Sequence, residues 1–421
     1  MVNDYMKLME LNDDFLLFDG DLLKMYKIPK DKLHEVHDYL ENPRERHFAE
    51  VGSLDRLGRL TLCVSSVCNL ACKYCYESQQ NFCEHKQAFI SVETIQKAIN
   101  FVFSQYCEGI GCVQFFGGEP LLNIKAIRYT IEYISEICLK RSIKPPAYTI
   151  VTNGTLINEE AHNLFNQYFG RITISLDGRK EINDANRVFA KHAGSVYENV
   201  SANLTKFAKD RKYLIDVQMT ITECHLQNVN SDIIDYLHIK KLGVTSVHIT
   251  PLINTKDYQV AEREKYTSRI IEYFRKCYEH EMQYIDKTNY YKLLSLVRIL
   301  KEKTPSDHYC GAGFKDISID VLGDIYPCFM FNDNPAFVMG NVLSDGKDFV
   351  ANRDTYISNT ISRNQKCANC WAHGICSSGH SGCIGAYYLE NGRIDRPIEH
   401  NCALTKSVFE NALCKKIAQL T

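Results

Sequence analysis

No uninterrupted apolar run in this sequence reaches the ~18 residues that a membrane-spanning helix needs. Its first residues, Met1-Val-Asn-Asp-Tyr-Met6, lack the basic stretch and apolar core of a signal peptide, so a cytoplasmic protein is expected, with no membrane partner. Excess charge of either sign is missing too. The 49 basic and 51 acidic residues leave a formal net charge of −2, which gives no signal of a nucleic-acid-binding surface. With 22 glycines, 10 prolines and a 45% hydrophobic fraction, the chain is neither collagen-like nor wholly disordered. At roughly 150 residues per domain, 421 residues hold two or three domains with real cores.

Cysteine, by contrast, is abundant at 18 residues. In a long cytosolic chain clustered cysteines bind metal or carry redox chemistry more often than they pair. Ten fall into two groups: Cys68, Cys72 and Cys75, then Cys310, Cys328, Cys367, Cys370, Cys376, Cys383 and Cys402. The other eight (Cys63, Cys83, Cys107, Cys112, Cys138, Cys224, Cys277 and Cys414) are scattered, and most are expected to pack in the core as small hydrophobes.

Residues 1–58 precede the first group. Two apolar bursts between Tyr5 and Phe18 predict a hairpin, and Leu33, Val36, His37 and Leu40 share one face of a helix over Lys30–Glu41 that ends at Asn42-Pro43. From 59 to about 303 strand and helix alternate. Expected strands are Arg59–Val64, Cys112–Phe116, Tyr148–Thr152, Arg171–Leu176, Leu214–Thr222 and Val244–Thr250. Expected helices are Val92–Tyr106, Ile124–Leu139, Glu159–Tyr168, Val196–Lys209, Asn228–Lys241 and Ala261–His280. Six such units in series predict an α/β fold with a parallel sheet and outer helices, whose chemistry belongs at the carboxyl ends of the strands. From 304 to 421 cysteines and turns dominate. There Ile317–Leu322 and Gly323–Tyr326 read as two strands about a glycine turn.

The first group, Cys68-Asn-Leu-Ala-Cys72-Lys-Tyr74-Cys75, follows the first of these strands. Three thiolates on one short loop suit three irons of a [4Fe–4S] cluster, leaving the fourth iron open to bind a small molecule. A zinc site borrowing a distant ligand is the alternative.

CxxxCxxC with an aromatic before its last cysteine resembles the radical S-adenosylmethionine (SAM) superfamily. The likeness extends over 59–303 and implies a partial (β/α)6 TIM-like barrel. In that family the open iron chelates the amino and carboxylate groups of SAM, and an electron splits the sulfonium to a 5′-deoxyadenosyl radical. Phe115-Phe116-Gly117-Gly118-Glu119-Pro120 resembles the family's GGEP segment. The resemblance implies that Gly117 and Gly118 admit the methionine end of SAM, and that Glu119 accepts its ammonium. Asn153 and Ser175, at later strand ends, would bind its ribose or amino-acid moiety. Arg187 would pair with its carboxylate, and Tyr74 and Gln218 complete the expected contacts. No catalytic residue is assigned.

The second group resembles the SPASM extension of peptide- and protein-modifying radical SAM enzymes, which holds two auxiliary [4Fe–4S] clusters. Three clusters and SAM are therefore the implied cofactors. Carrying the family's interlaced ligation across, Cys367, Cys370, Cys376 and Cys402 would hold the outer cluster, and Cys310, Cys328 and Cys383 the inner one. Cys376-Ser-Ser-Gly-His380-Ser-Gly-Cys383 departs from the usual spacing by its length, which could shift the Cys383 ligand or bring His380 to the cluster. The inner set is one ligand short. His308 or Cys277 would fill the gap, or a substrate thiolate would.

An open inner cluster resembles the thioether-forming sactipeptide and ranthipeptide synthases. That likeness implies a ribosomally made precursor peptide with a leader as substrate, residues 1–58 as a leader-recognition module, and a reductant such as flavodoxin or ferredoxin. An anaerobic sulfatase maturase, a carbon–carbon cross-linking maturase and a non-catalytic zinc-binding scaffold are the alternatives.

Overall fold

The computed structural model describes residues 5–11, 13–36, 51–76, 88–226, 233–253, 263–283, 298–302, 306–376 and 382–418. They form two compact units. One comprises Met1–Gly52, Glu262–Cys310 and Ile357–Thr421, the other Ser53–Ala261 and Gly311–Tyr356.

The first unit opens on three antiparallel strands, β1 (Met6–Leu11), β2 (Asp14–Asp19) and β3 (Lys24–Ile28), with β2 in the middle. Tyr5, Met6, Leu17 and Val36 form a small core against which Leu8 and Ile28 pack. The expected hairpin is therefore present, with a third strand that the sequence pattern did not reveal. Where a helix was expected, a 3-10 turn at Lys30–Lys32 leads into helical residues 33–36; His37–Glu41 and Asn42-Pro43 lie outside the described residues.

In the second unit six strands run parallel in sequence order: β4 (Leu57–Ser65), β5 (Ile110–Gly117), β6 (Ala147–Thr152), β7 (Arg171–Ser175), β8 (Leu214–Ile221) and β9 (Ser246–Pro251). Helices α1 (Val92–Gln105), α2 (Ile124–Arg141), α3 (Glu159–Tyr168), α4 (Lys180–Asn186), α5 (Val196–Lys206) and α6 (Ile234–Lys240) intervene. Side-chain caps fix several starts. Ser91, Asn158 and Ser195 each accept the backbone N–H three residues on, satisfying a donor that the first turn leaves free. α4 was not expected; its seven residues are too few for a clear apolar period.

The glycine hairpin is also present, as β10 (Asp316–Ile319) and β11 (Asp324–Tyr326) with Gly323 at φ +86°. It extends the core sheet: β10 pairs in parallel with β4, and β11 pairs with a short β12 (Gly340–Asn341). In the first unit the long helices α7 (Arg263–Met282) and α8 (Glu399–Ala418) pack together. No helix of the described residues is long and apolar enough to cross a membrane. Of the scattered cysteines, Cys63, Cys138 and Cys277 are buried as expected, whereas Cys107 is exposed and Cys112, Cys224 and Cys414 are half-buried. Cys83 and His380 lie outside the described residues.

Candidate active site

The loop bearing Cys68, Cys72 and Cys75 leaves the carboxyl end of β4, and backbone hydrogen bonds hold it on two sides. On one side lies the turn after β5: the Gly118 N–H donates to Ser65 O and the Glu119 N–H to Val67 O, both at 2.9 Å. On the other runs the segment after α4. The Ala71 N–H donates to Val188 O at 2.8 Å, Lys73 to Asn186 O at 2.9 Å, and Ala190 back to Asn69 O at 3.0 Å.

This packing accounts for the paired glycines. A Cβ on Gly117, whose φ is +132°, would stand 2.0 Å from Ser65 O, and one on Gly118 would stand 2.4 Å from Val67 O. These glycines admit the backbone that leads into the cysteine loop.

Glu119 has three partners within the chain. Its carboxylate is fully buried and accepts three donors: Leu121 N at 3.0 Å and Thr152 Oγ1 at 2.7 Å on one oxygen, Asn153 N at 2.8 Å on the other. It ties the ends of β5 and β6 together under the loop. Burial pushes its pKa up to about 7, and the three donors pull against that shift. Replacing Glu119 by alanine strands three buried donors at about 1–3 kcal/mol each before water enters. The expected loss is about 3 kcal/mol of unfolding free energy, read from urea titration; a loss below about 1 kcal/mol would contradict this role.

Asn153 is likewise engaged. Its Nδ2 donates to Asn69 Oδ1 at 2.8 Å and lies 3.8 Å from the Cys68 sulfur, and its Oδ1 accepts from Thr155. Arg187 is buried and spends two donors on Asp177, Nε at 2.9 Å and the NH2 group at 3.2 Å. Its NH1 group stands 3.9 Å from the Cys72 sulfur, and its guanidinium lies over the Tyr74 ring. Tyr74 donates its hydroxyl to Asp177, which is fully buried. Ser175 ends β7 half-buried, in register with Gln218 on β8 and His248 on β9. Gln218 donates to Thr250 Oγ1 at 2.8 Å.

Asp177 and His248 had no role in the sequence reading. Each does leave a signal there, as a polar side chain at a strand end or in an alternating strand.

In the first unit, Cys367, Cys370, Cys376 and Cys402 share one neighbourhood. The Cys402 thiol is pushed up to about 11, first by burial and then by Cys367 and Cys370. Burial foremost also raises Tyr387, with Cys376, Cys402 and Cys367 adding to it. Tyr309 and Tyr387 meet edge to face at 5.5 Å in the middle of this group. Cys383 caps the helix Ile384–Asn391, its sulfur 3.5 Å from Ala386 N. Cys310 is half-buried, and so, in the second unit, is Cys328. Among the described residues no three His, Cys, Asp or Glu side chains converge to hold a single ion.

Residues 62–233 match the model of the radical SAM superfamily, and residues 310–371 match that of the SPASM iron–sulfur cluster-binding domain. The chain carries a radical SAM domain and a SPASM domain. Members of the superfamily are enzymes, and its domain implies a [4Fe–4S] cluster and SAM. Among curated proteins, the radical SAM cyclopropyl synthase TigE of Paramaledivibacter caminithermalis is 24% identical over 396 residues, covering 90% of this chain and 79% of that protein. The antilisterial bacteriocin subtilosin biosynthesis protein AlbA of Bacillus subtilis is 25% identical, covering 68% and 57%. The cysteine-type anaerobic sulfatase-maturating enzyme of Clostridium novyi is 25% identical, covering 75% and 85%. A solved structure described as native anSMEcpe with bound AdoMet shares the fold, with a TM-score of 0.70 at 18% identity over 86% of this chain and 98% of that one.

The donor set of this radical SAM domain fits an iron–sulfur cluster. Three thiols stand on one loop, and N–H groups of Leu70, Asn153 and Arg187 are directed at two of their sulfurs, as cluster thiolates favour. Desolvation raises the Cys68 and Cys72 thiols above the ordinary range, a shift that a bound metal would offset by favouring the thiolates.

Proposed function

We propose that this radical SAM/SPASM enzyme is a maturase that installs thioether bonds, cysteine sulfur to carbon, in a ribosomally made precursor peptide. The observation that carries the reading is the state of the two residues that would complete the inner cysteine set. His308 is buried with Nε2 2.8 Å from the Ile357 carbonyl oxygen. Cys277 is fully buried within α7. A carbonyl-bound Nε2 is also what a ligating histidine shows, so it is the burial of Cys277 that favours Cys310, Cys328 and Cys383 as a set of three, with its fourth place left to substrate. When bound, the clusters and SAM supply a 5′-deoxyadenosyl radical that abstracts hydrogen from carbon and a place where a substrate thiol is held deprotonated.

The chain's own residues do the holding. Cys68, Cys72 and Cys75 would ligate the SAM-binding cluster, and Cys367, Cys370, Cys376 and Cys402 the outer auxiliary one. Ser175 and Gln218 line the strand ends where the nucleotide would lie. Glu119 and Asn153 keep the cysteine loop on the ends of β5 and β6. The naming of AlbA for bacteriocin biosynthesis supports a peptide substrate, and a flavodoxin or ferredoxin remains the expected reductant.

Co-expression with a candidate precursor tests the reading. The expected product has lost two hydrogens per bond and one thiol reactive toward iodoacetamide. Loss of two hydrogens with every thiol intact would instead indicate a carbon–carbon bond, and a formylglycine mass the sulfatase-maturing reaction. Cys310→Ala and Cys328→Ala should each abolish the bond while SAM cleavage persists.

The N-terminal sheet suits leader capture by strand addition. Among the described residues β3 pairs only with β2, whereas β1 packs beside α8 and is tied to it by Lys7–Glu410 at 3.4 Å. Amide exchange over Lys24–Ile28 should therefore slow on adding a leader peptide. Unchanged exchange there would remove this module from recognition.

A further inference from the structure

The three sulfurs of the first cysteine loop do not have equivalent surroundings. Cys68 faces two neutral donors, Leu70 N at 3.4 Å and Asn153 Nδ2 at 3.8 Å. Cys72 faces a cation, with Arg187 NH1 3.9 Å from its sulfur. That cation has little freedom. The backbone around it is pinned to the loop on both sides, at Asn186 O and Val188 O. Its Nε and NH2 groups are taken by Asp177, and the Tyr74 ring stacks beneath. Asp177 is held in turn by Thr220 N at 3.1 Å on its carboxylate and by Asn183 Oδ1, which accepts its N–H at 3.1 Å. A fork fixed on one carboxylate leaves the third nitrogen aimed in one direction. Here that direction is the sulfur of Cys72.

We propose that Asp177 is a positioning residue that makes Arg187 a standing N–H donor to the Cys72 sulfur, and that this donor raises the reduction potential of the cluster held by Cys68, Cys72 and Cys75. The inference rests on those cysteines being cluster ligands. Hydrogen bonds to sulfur and nearby positive charge both favour the electron-rich reduced state. The contact lies wholly within the chain, so titrating without SAM reads its effect apart from any pairing of Arg187 with SAM.

The test is a redox titration of the full-length, anaerobically reconstituted protein without SAM, following the EPR signal of the cluster to which SAM later binds. Arg187→Met should leave about tenfold less reduced cluster at a fixed potential, equal to about 59 mV more negative for a one-electron couple. Because that variant strands the buried Asp177 charge, the charge-balanced pair Asp177→Asn with Arg187→Met is titrated beside it and should shift the same way. Arg187→Lys, which keeps the charge but loses the fork, should shift less. A wild-type potential in the paired variant, with only SAM affinity reduced, overturns the proposal. Failure of every variant to retain iron also overturns it, since all three thiols remain. Wild-type protein that binds no iron would refute the cluster assignment itself.

Discussion

With Cys72 replaced by alanine, reductive SAM cleavage should fall to background, a loss of 5′-deoxyadenosine on the order of a thousandfold or more. The size follows from the architecture. The cysteine loop is tied to the turn after β5 and to the segment after α4 by backbone bonds that do not involve the Cys72 side chain. Removing one thiol therefore leaves the loop in place and takes away one of the three expected cluster ligands. Cys107→Ala is the matched control: it removes an exposed thiol and should change neither iron content nor SAM cleavage. Iron and sulfide analysis beside product chromatography reads both effects. If Cys72→Ala still released 5′-deoxyadenosine at a tenth of the wild-type rate, the loop would not be the SAM-cleaving centre.

The sequence pattern revealed the strand–helix series, because β4 to β9 are rich in β-branched and aromatic residues and the motifs stand just past their ends. It revealed less about what each motif residue touches. Gly117, Gly118 and Glu119 announce a tight, polar turn, but the partners that give the turn its meaning come from Ser65, Val67 and Thr152, far away in the chain. Arg187 was legible as a cation, expected to pair with the SAM carboxylate. Its anchor Asp177 was not, since an acidic residue before a glycine reads first as a turn former. β3, Lys-Met-Tyr-Lys-Ile, is half-exposed and takes its form from pairing with β2, so its own composition is a weak guide. Tyr309 and Tyr387 sit amid the cysteines, and only the folded chain shows them packed edge to face there.

Gly117→Ala and Gly118→Ala should each cost about 4 kcal/mol or more, placing them in the tail of single substitutions that distort the backbone. In most glycine replacements the new methyl meets a side chain that can turn aside. Here it meets main chain: Ser65 O at 2.0 Å for Gly117, and Val67 O and C at 2.4 and 2.5 Å for Gly118. Neither can retreat without breaking the bonds from Gly118 N and Glu119 N that hold the cysteine loop. Gly117 adds the strain of φ +132° on a residue bearing a Cβ. The loop must therefore lift away from β5, taking the thiols out of position as it goes. Gly170, which has open space where a Cβ would stand, provides the control, and Gly170→Ala should keep iron content and stability. Urea unfolding and iron analysis of the three variants decide the matter. Full iron content in Gly118→Ala would show that the loop tolerates a separation this packing forbids.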